Sequence, residues 1–172
     1  MSFFKKIKNG LGVGTIKFEL MVPGQIYGNA GRLEGDIVMT GKSDQLVKDV
    51  EVTFERVHTW DERKSVYNQT TKRYEDSWVG RSHAVRLGHF MDERPFEIAA
   101  DETKTIHFVI PFEPIDAHLA SSSGGLMWNF MDSALSYGSN WRNERVTYNV
   151  RGDADLEDVA FDKGDNTSIT VI

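Results

Sequence analysis

The sequence contains no cysteine, only four prolines and no long apolar run. Without cysteine the chain cannot form a disulfide, an iron–sulfur cluster, a thiol nucleophile or a cysteine-based zinc site, and we expect a reducing, cytoplasmic location. No stretch approaches the ~20 apolar residues of a membrane span. The charged N-terminus lacks the apolar core of ~7–15 residues that a secretory signal needs. The net charge of −6 lacks the basic excess on which general nucleic-acid binding depends.

The composition that is present is typical of a soluble globular domain. Hydrophobic residues make up 40% and charged residues 27% of the 172 residues. A domain of this length buries roughly 70% of the surface of its unfolded chain, so it needs no metal or disulfide for stability. We expect one domain over residues 1–172.

Alternating apolar and polar residues predict strands with one buried face along most of the chain. The pattern is cleanest from Thr105 to Ile110, where every second side chain is apolar. A shorter strand, Phe96–Ala99, is predicted to form a strand pair with it across a turn at Asp101–Glu102. Pro111 ends the second strand, because proline has no N–H to donate to the ladder.

Further strands follow from the same pattern and are separated by short turns, which indicates an antiparallel β-sandwich. They are predicted at Thr15–Leu20, Arg32–Thr40, Leu46–Trp60, Trp78–Leu87, Arg145–Val150 and Thr167–Ile172. Gly35 interrupts its strand and indicates a bulge or a tight packing position. The polar stretch Trp60–Tyr74 is interpreted as a mobile hairpin tip, and Asp153–Asp165 as an acidic turn. Predicted core residues include Leu33, Ile37, Met39, Leu46, Val50, Val52, Phe54, Trp78, Val85, Leu87, Val146, Tyr148 and Val150.

A short helix is predicted at the N-terminus. Phe3 and Phe4 lie on one side of it and Lys5 and Lys6 on the other, and Ser2 can cap its first turn. The segment is either a basic, aromatic anchor for anionic lipid or a partner, or a terminal turn that folds over an open end of the sandwich. Each basic residue contributes only ~1 kcal/mol to binding at an anionic bilayer, so such an anchor is weak.

A second helix is predicted within an insert at about residues 120–140. Its wide apolar face is rich in methionine and aromatic residues, including Met127, Trp128 and Met131, and Gly138 is a natural stop. These residue types are favoured at adaptable contact surfaces. The helix either covers an edge of the protein's own sheet or serves partner binding or self-association.

No pattern in the sequence indicates catalysis or a cofactor. The histidines match no metal-binding spacing and are expected to be ordinary surface imidazoles; they are His58, His83, His89, His107 and His118. The acidic residues from Asp153 onward lack the spacing of an EF-hand loop. Serines 121–123 lack the glycine-flanked elbow of a hydrolase. We therefore expect no enzymatic activity, no cofactor and no metal.

Four stretches of the chain resemble one known family. The first is the opening Met-Ser-Phe-Phe-Lys-Lys-Ile, with Gly-Val-Gly just after it, and the second runs from Phe18 to Gly41 and contains a strand, a Pro-Gly turn and the sequence Gly-x-Ile-Val-x-x-Gly. The third is the pair Phe96-Glu-Ile and Lys-Thr-Ile-His-Phe-Val-Ile-Pro-Phe. The fourth, from Arg145 to Val171, is a strand followed by an Asp-rich turn and a last short strand. Together they cover most of the chain. They resemble the sporulation-control (SpoOM) family, and the third is similar to a strand pair of arrestins.

The resemblance implies an all-β, arrestin-like, immunoglobulin-type antiparallel β-sandwich with a regulatory or scaffolding role, and it transfers no catalytic residue. Family members usually have a second sandwich, whereas we expect one domain here, with the insert at residues 120–140 where a short connection is usual.

The leading hypothesis for function is a cytoplasmic scaffold that contacts proteins through an exposed edge strand, the Trp60–Tyr74 tip or the Leu126–Tyr137 helix. Self-association through an edge strand or the insert is a related expectation. The alternative is a peripheral membrane protein attached through its N-terminus. The candidate partner-binding residues are Phe3, Phe4, Lys5, Lys6, Met127, Trp128 and Met131.

Overall fold

The computed structural model describes residues 15–115, 141–159 and 163–172, and these residues form strands and no α-helix. The strands are β1 (Ile16–Met21), β2 (Gln25–Ile26), β3 (Arg32–Gly41), β4 (Gln45–Asn68), β5 (Arg73–Asp92), β6 (Phe96–Ile98), β7 (Thr103–Pro111), β8 (Trp141–Leu156) and β9 (Lys163–Val171). The predicted all-β class is confirmed for this part of the chain. The predicted N-terminal helix and the helical insert at 120–140 lie outside the described residues. Within the described ranges there is no helix with the length and apolar character that a membrane span requires.

The strands form two sheets. A three-stranded antiparallel sheet has the order β1–β3–β7, and a six-stranded sheet has the order β2–β9–β8–β4–β5, with β6 also pairing to β4. Every ladder among the described strands is antiparallel except one, in which Gln25–Ile26 runs parallel to Thr170–Val171. The antiparallel prediction is therefore wrong at this ladder. The two-residue strand β2 runs parallel beside the last strand of the chain, a long-range pairing that no local pattern encodes.

The two sheets enclose one apolar core. Ring contacts join them: Phe90 of β5 lies 6.0 Å from Phe108 of β7 between centroids, and Phe54 of β4 meets Phe112, just past β7, edge-on at 5.3 Å. Each fully buried side chain of this size contributes about 1.5–3 kcal/mol. The predicted inward positions of β3 and β7 are confirmed, since the following are buried: Leu33, Ile37, Met39, Phe108 and Ile110.

Gly35 sits at a tight packing position. A Cβ there would lie 2.7 Å from both the Met21 carbonyl oxygen and the Phe108 ring. The ladder between β3 and β7 shows no register shift at this residue. Of the two interpretations of Gly35, tight packing is confirmed and the bulge is wrong.

The strands β6 and β7 belong to different sheets. Phe96–Ile98 pairs with β4, whereas Thr103–Pro111 pairs with β3. The predicted pairing of these two strands with each other is therefore wrong. The turn at Asp101, which has a φ of 64°, carries the chain across the core, and the Glu102 N–H donates to the Ala99 carbonyl at 3.1 Å within it.

Two predictions about β4 and β8 are wrong in part. Val47 is fully buried and Leu46 only partly, since the β4–β8 ladder shifts register between Val47 and Asp49. The acidic stretch after Asp153 is not all turn: β8 continues to Leu156, and its buried apolar residues join the core.

The hairpin predicted at Trp60–Tyr74 is confirmed, and most of this stretch is paired strand. β4 and β5 stay in register out to Asn68 and Arg73, which leaves residues 69–72 as the turn. Beyond Glu62, β5 is the ladder partner of β4 within the described residues. No second layer of described residues covers this two-stranded ribbon, so most of its side chains are exposed on both faces. We call the hairpin from Thr59 to Arg81 the arm.

Candidate functional site

The two faces of the arm carry different side chains. Opposite residues of an antiparallel pair point to the same side of the sheet. The pairing of Tyr67 with Tyr74, and of Arg63 with Trp78, therefore places these four residues on one face, which we call the outer face. The inner face continues from the buried Phe54 of the sandwich core, because side chains of a strand alternate.

Three aromatic side chains of the outer face remain exposed. Tyr67 is 48%, Tyr74 73% and Trp78 36% exposed, so the prediction of Trp78 as a core residue is wrong. The Tyr67 and Tyr74 rings meet edge-on with their centroids 5.3 Å apart. The guanidinium of Arg142 lies over the Trp78 ring, 4.2 Å from its centroid, in a cation–π contact. We call Tyr67, Tyr74, Trp78 and Arg142 the aromatic patch.

Acidic side chains of the outer face orient the arginines of this region. Asp61 accepts a hydrogen bond from Asn143 at 2.7 Å and lies 3.5 Å from the Arg142 Nε. Arg63 donates to Asp76 at 2.6 Å across the hairpin. Such exposed ion pairs contribute little to stability. Their effect here is geometric, since they hold cationic groups beside exposed rings.

His58 on the inner face is buried. It is only 4% exposed, so the expectation of a surface imidazole is wrong for this residue. Its ring stacks on Trp60 at 4.8 Å, and its Nε2 lies 3.6 Å from the Glu144 carboxylate, too far for a direct hydrogen bond. Burial lowers the pKa of His58; Glu144 opposes this shift, and electrostatic interactions with Arg56 and His83 add to it. A protonated His58 is therefore disfavoured in the folded chain.

Acidification is expected to destabilise the fold through His58. As the pH falls below the ordinary histidine pKa of 6.5, the unfolded chain takes up a proton that the folded chain resists. The free energy of unfolding then falls by at most about 1.4 kcal/mol per pH unit until the folded pKa is reached, and it is unaffected at higher pH. The variant His58→Gln should flatten this dependence in urea unfolding measured from about pH 8 to about pH 5.

The exposed His107 provides the matched control for this experiment. Its Nδ1 lies 3.0 Å from Asp36 on the surface of the three-stranded sheet. The variant His107→Gln should keep most of the slope of the unsubstituted protein. Equal slopes for the unsubstituted protein and His58→Gln would show that another group causes the acid sensitivity.

Tyr148 lies on the inner face between His58 and the core. It is buried, and its ring centroid is 6.3 Å from that of Phe54. Burial raises the pKa of its hydroxyl, and the nearby Arg56 guanidinium opposes that shift. Across the described ranges, no three histidine or acidic side chains are grouped so that they could bind a metal.

The outer edge of β5 is the second feature of the site. β5 ends the strand order of its sheet, so this edge has no ladder partner among the described strands. The strand is 20 residues long and contains no proline. An edge of this kind presents a row of backbone donors and acceptors to which another strand can pair.

The structure does not test the residues that the sequence predicted for partner binding. All seven lie outside the described residues: Phe3, Phe4, Lys5, Lys6, Met127, Trp128 and Met131. Membrane attachment through the N-terminus therefore stays a prediction. Of the remaining histidines, His83, His89 and His107 are exposed, and His118 lies outside the described residues.

The aromatic patch is what the sequence analysis missed, although one signal for it was present. Tyr67 and Tyr74 flank residues 69–72 symmetrically, so a tight hairpin pairs them on one face. Interpretation of the whole stretch as a mobile tip hid this relation. The contribution of Arg142 depends on the ladder between β4 and β8, which brings the start of β8 beside Asp61.

No protein-family model matches the sequence, and no curated protein matches it. Among solved structures, the sporulation control protein Spo0M from Bacillus subtilis is similar, with a TM-score of 0.48 and 14% sequence identity over 92% of this chain. The chain spans about half the length of that protein, since the match covers 49% of it. A likeness at this level carries no statement about the site.

Proposed function

We propose that this chain is a non-enzymatic regulatory or scaffolding protein of the cytoplasm that acts through protein contacts of an arrestin-like, immunoglobulin-type sandwich. The observation that carries the proposal is the aromatic patch on the outer face of the arm. The motifs that resemble the sporulation-control family agree with a role of this kind.

The composition of the aromatic patch is that of a binding surface. Single exposed hydrophobic residues are common on soluble proteins and need no explanation. Here tyrosine, tryptophan and arginine, the residue types most enriched at binding hot spots, form two contact pairs on one face of the arm. Tyr67 and Tyr74 are in contact, and Arg142 covers one face of Trp78, so the surface combines apolar area with hydrogen-bonding groups.

The placement of the patch on paired strands also favours binding. Tyrosine and tryptophan have only two side-chain torsions, so fixing them in a complex costs little conformational entropy. The ladder between β4 and β5 fixes the backbone beneath them. A partner would therefore meet a surface whose rings are already positioned, which reduces the ordering cost of association.

Removing the two tyrosines of the patch is expected to abolish capture of the partner. The double variant Tyr67→Ser/Tyr74→Ser deletes the paired rings and leaves Trp78 and Arg142 in place. Loss of hot-spot residues that contribute about 2 kcal/mol or more each weakens binding by at least about 30-fold per residue. The measurement is affinity capture by the full-length chain from its native cells, with quantitative identification of the bound proteins.

The matched control replaces two exposed apolar residues outside the arm, Met21 and Tyr27, with serine. It should capture the same proteins as the unsubstituted chain. Thermal unfolding of both double variants checks that the fold is intact. If the patch variant and the control retain the same partners in the same amounts, the patch is not the binding surface and the proposal fails.

A further inference from the structure

The edge of β5 has a charge pattern that is complementary to itself. Glu75 precedes Trp78 by three residues, and Arg81 follows Trp78 by three residues. When two copies of such a strand pair in antiparallel fashion around Trp78, each Glu75 comes to lie opposite Arg81 of the other copy. The same pattern gives two identical pairs of opposite charge, one on each side of the axis.

We propose that two copies of this chain associate by antiparallel pairing of their β5 edges, with the two-fold axis at Trp78. The occupant of the free edge is thus a second copy of the same chain. This inference goes beyond the proposed function, because it concerns the edge of the arm and not its outer face.

Glu75 and Arg81 lie on the same face of β5, as this pairing requires. A two-fold axis perpendicular to a sheet keeps each face on its own side, so residues of one face meet residues of the same face. Glu75 is paired with Val66 and Arg81 with Trp60 in the ladder of β4 with β5, which places both charged residues on the inner face. Opposite charges at directly opposed positions stabilise an antiparallel pair, and like charges destabilise it.

Pairing the two strands about a different residue does not place opposite charges against each other in this way. An axis one residue earlier, at Ser77, would place Arg73 opposite Arg81, and an axis at Arg81 would place that residue opposite itself. With the axis at Trp78, by contrast, Tyr74 meets Ser82 and Asp76 meets Gly80, which avoids like charges at these positions. The two Trp78 rings meet on the outer face, and an aromatic pair contributes about 0.5–1.5 kcal/mol beyond its buried area.

Both charged side chains already have hydrogen-bond partners within the single chain. Glu75 accepts hydrogen bonds from Thr71 at 2.6 Å and Asn68 at 2.9 Å, and these bonds lower the pKa of its carboxyl group. Arg81 donates to Glu62 at 3.0 Å and its side chain stays 40% exposed. Both side chains have further hydrogen-bonding capacity, because a carboxylate accepts about four hydrogen bonds and a guanidinium donates five.

The edge carries charged side chains, which oppose pairing with an arbitrary strand, but it lacks three other features by which proteins prevent strand pairing. Edge strands are commonly shortened, bulged or interrupted by proline. β5 has no proline, and its register shift against β4 lies at Phe54 and Glu55, opposite residues 86–88 and outside the segment 73–83 that would pair. The outer side of that segment has no ladder partner among the described strands, and its regular backbone fits a ladder with a second copy.

The test is a charge exchange measured on the full chain by sedimentation equilibrium at neutral pH and low salt. Glu75→Arg alone, or Arg81→Glu alone, places like charges opposite each other and should weaken the dimer roughly tenfold, since both symmetric pairs are affected. The double variant E75R/R81E restores opposite charges and should recover the dimer. Within one chain the two residues are six positions, or about 20 Å, apart and do not contact each other, so recovery reports on pairing between copies.

The control is Arg94→Glu, a charge reversal at a largely exposed residue outside β5, which should leave the dimer unchanged. A protein that sediments as a monomer at every concentration would overturn the proposal. So would a dimer that resists both single reversals, or one that the double variant does not recover although its thermal unfolding is normal. Because dimerisation needs no other protein, this result is independent of the capture experiment on the aromatic patch.

Discussion

Replacing Phe54 with alanine is expected to lower the free energy of unfolding by about 3–5 kcal/mol. Phe54 has no exposed surface, and its ring meets Phe112 edge-on at 5.3 Å and lies 6.3 Å from Tyr148. Phe112 follows β7 of the three-stranded sheet, whereas Tyr148 belongs to β8 of the other sheet. The truncation would therefore open a cavity at the junction of both sheets, where rigid ladders on either side limit collapse of the surroundings.

Denaturant unfolding followed by tryptophan fluorescence measures this loss. The largely exposed Tyr27 is the matched control, and Tyr27→Ala should change stability by no more than about 0.5 kcal/mol. Phe54→Leu should lie between the unsubstituted protein and Phe54→Ala, because it retains most of the buried apolar volume. Equal effects of Phe54→Ala and Tyr27→Ala would contradict the position of the core.

Substitution of Gly41 by alanine is expected to destabilise the protein by about 1–3 kcal/mol although it adds only one methyl group. A Cβ at Gly41 would overlap the carbonyl group of Ala99. The backbone cannot move away easily, because the Gly41 N–H donates to Glu102 at 2.9 Å and its carbonyl accepts from Asp101 at 2.8 Å. The methyl group therefore strains the turn that carries the chain from β6 to β7.

Gly24 offers the comparison for this variant, since a Cβ there would have no heavy atom within 4 Å and its φ is not in the left-handed region. Gly24→Ala should be neutral or stabilise the protein by up to about 1 kcal/mol, because alanine restricts the unfolded chain. Thermal and denaturant unfolding of both variants gives the difference. If Gly41→Ala is as stable as Gly24→Ala, the close approach of Ala99 to Gly41 is incorrect.

The experiments on the arm separate two uses of one hairpin. Removal of Tyr67 and Tyr74 affects the outer face and leaves Glu75 and Arg81 in place. Charge reversal at those two residues affects the edge and leaves the paired tyrosines in place. Loss of partner capture without loss of the dimer, or the reverse, would therefore show which of the two surfaces is used.

The candidate site was accessible to sequence analysis only in part. An exposed edge strand and the stretch Trp60–Tyr74 are both hypothesised from the sequence as contact regions. In the structure, β5 is an edge with no ladder partner among the described strands, and the stretch contributes Tyr67 and Tyr74 to the aromatic patch. The prediction that Trp78 is a core residue is wrong, because alternation shows which face of a strand a residue occupies but not whether another layer covers that face. For the same reason His58 was expected at the surface and is buried.

The sequence by itself determined the strands and their inward residues, as in β3 and β7, because the face of a strand depends only on side chains two positions apart. Only the tertiary structure decided that β6 and β7 lie in different sheets, that β2 runs parallel to β9, and that the arm projects with exposed aromatic residues. These features depend on contacts between distant residues, such as the 3.0 Å hydrogen bond from the Leu20 N–H to Asp165, 145 positions away. Such contacts decide which strands pair and which faces of a sheet a second layer covers, and a local sequence pattern does not predict them.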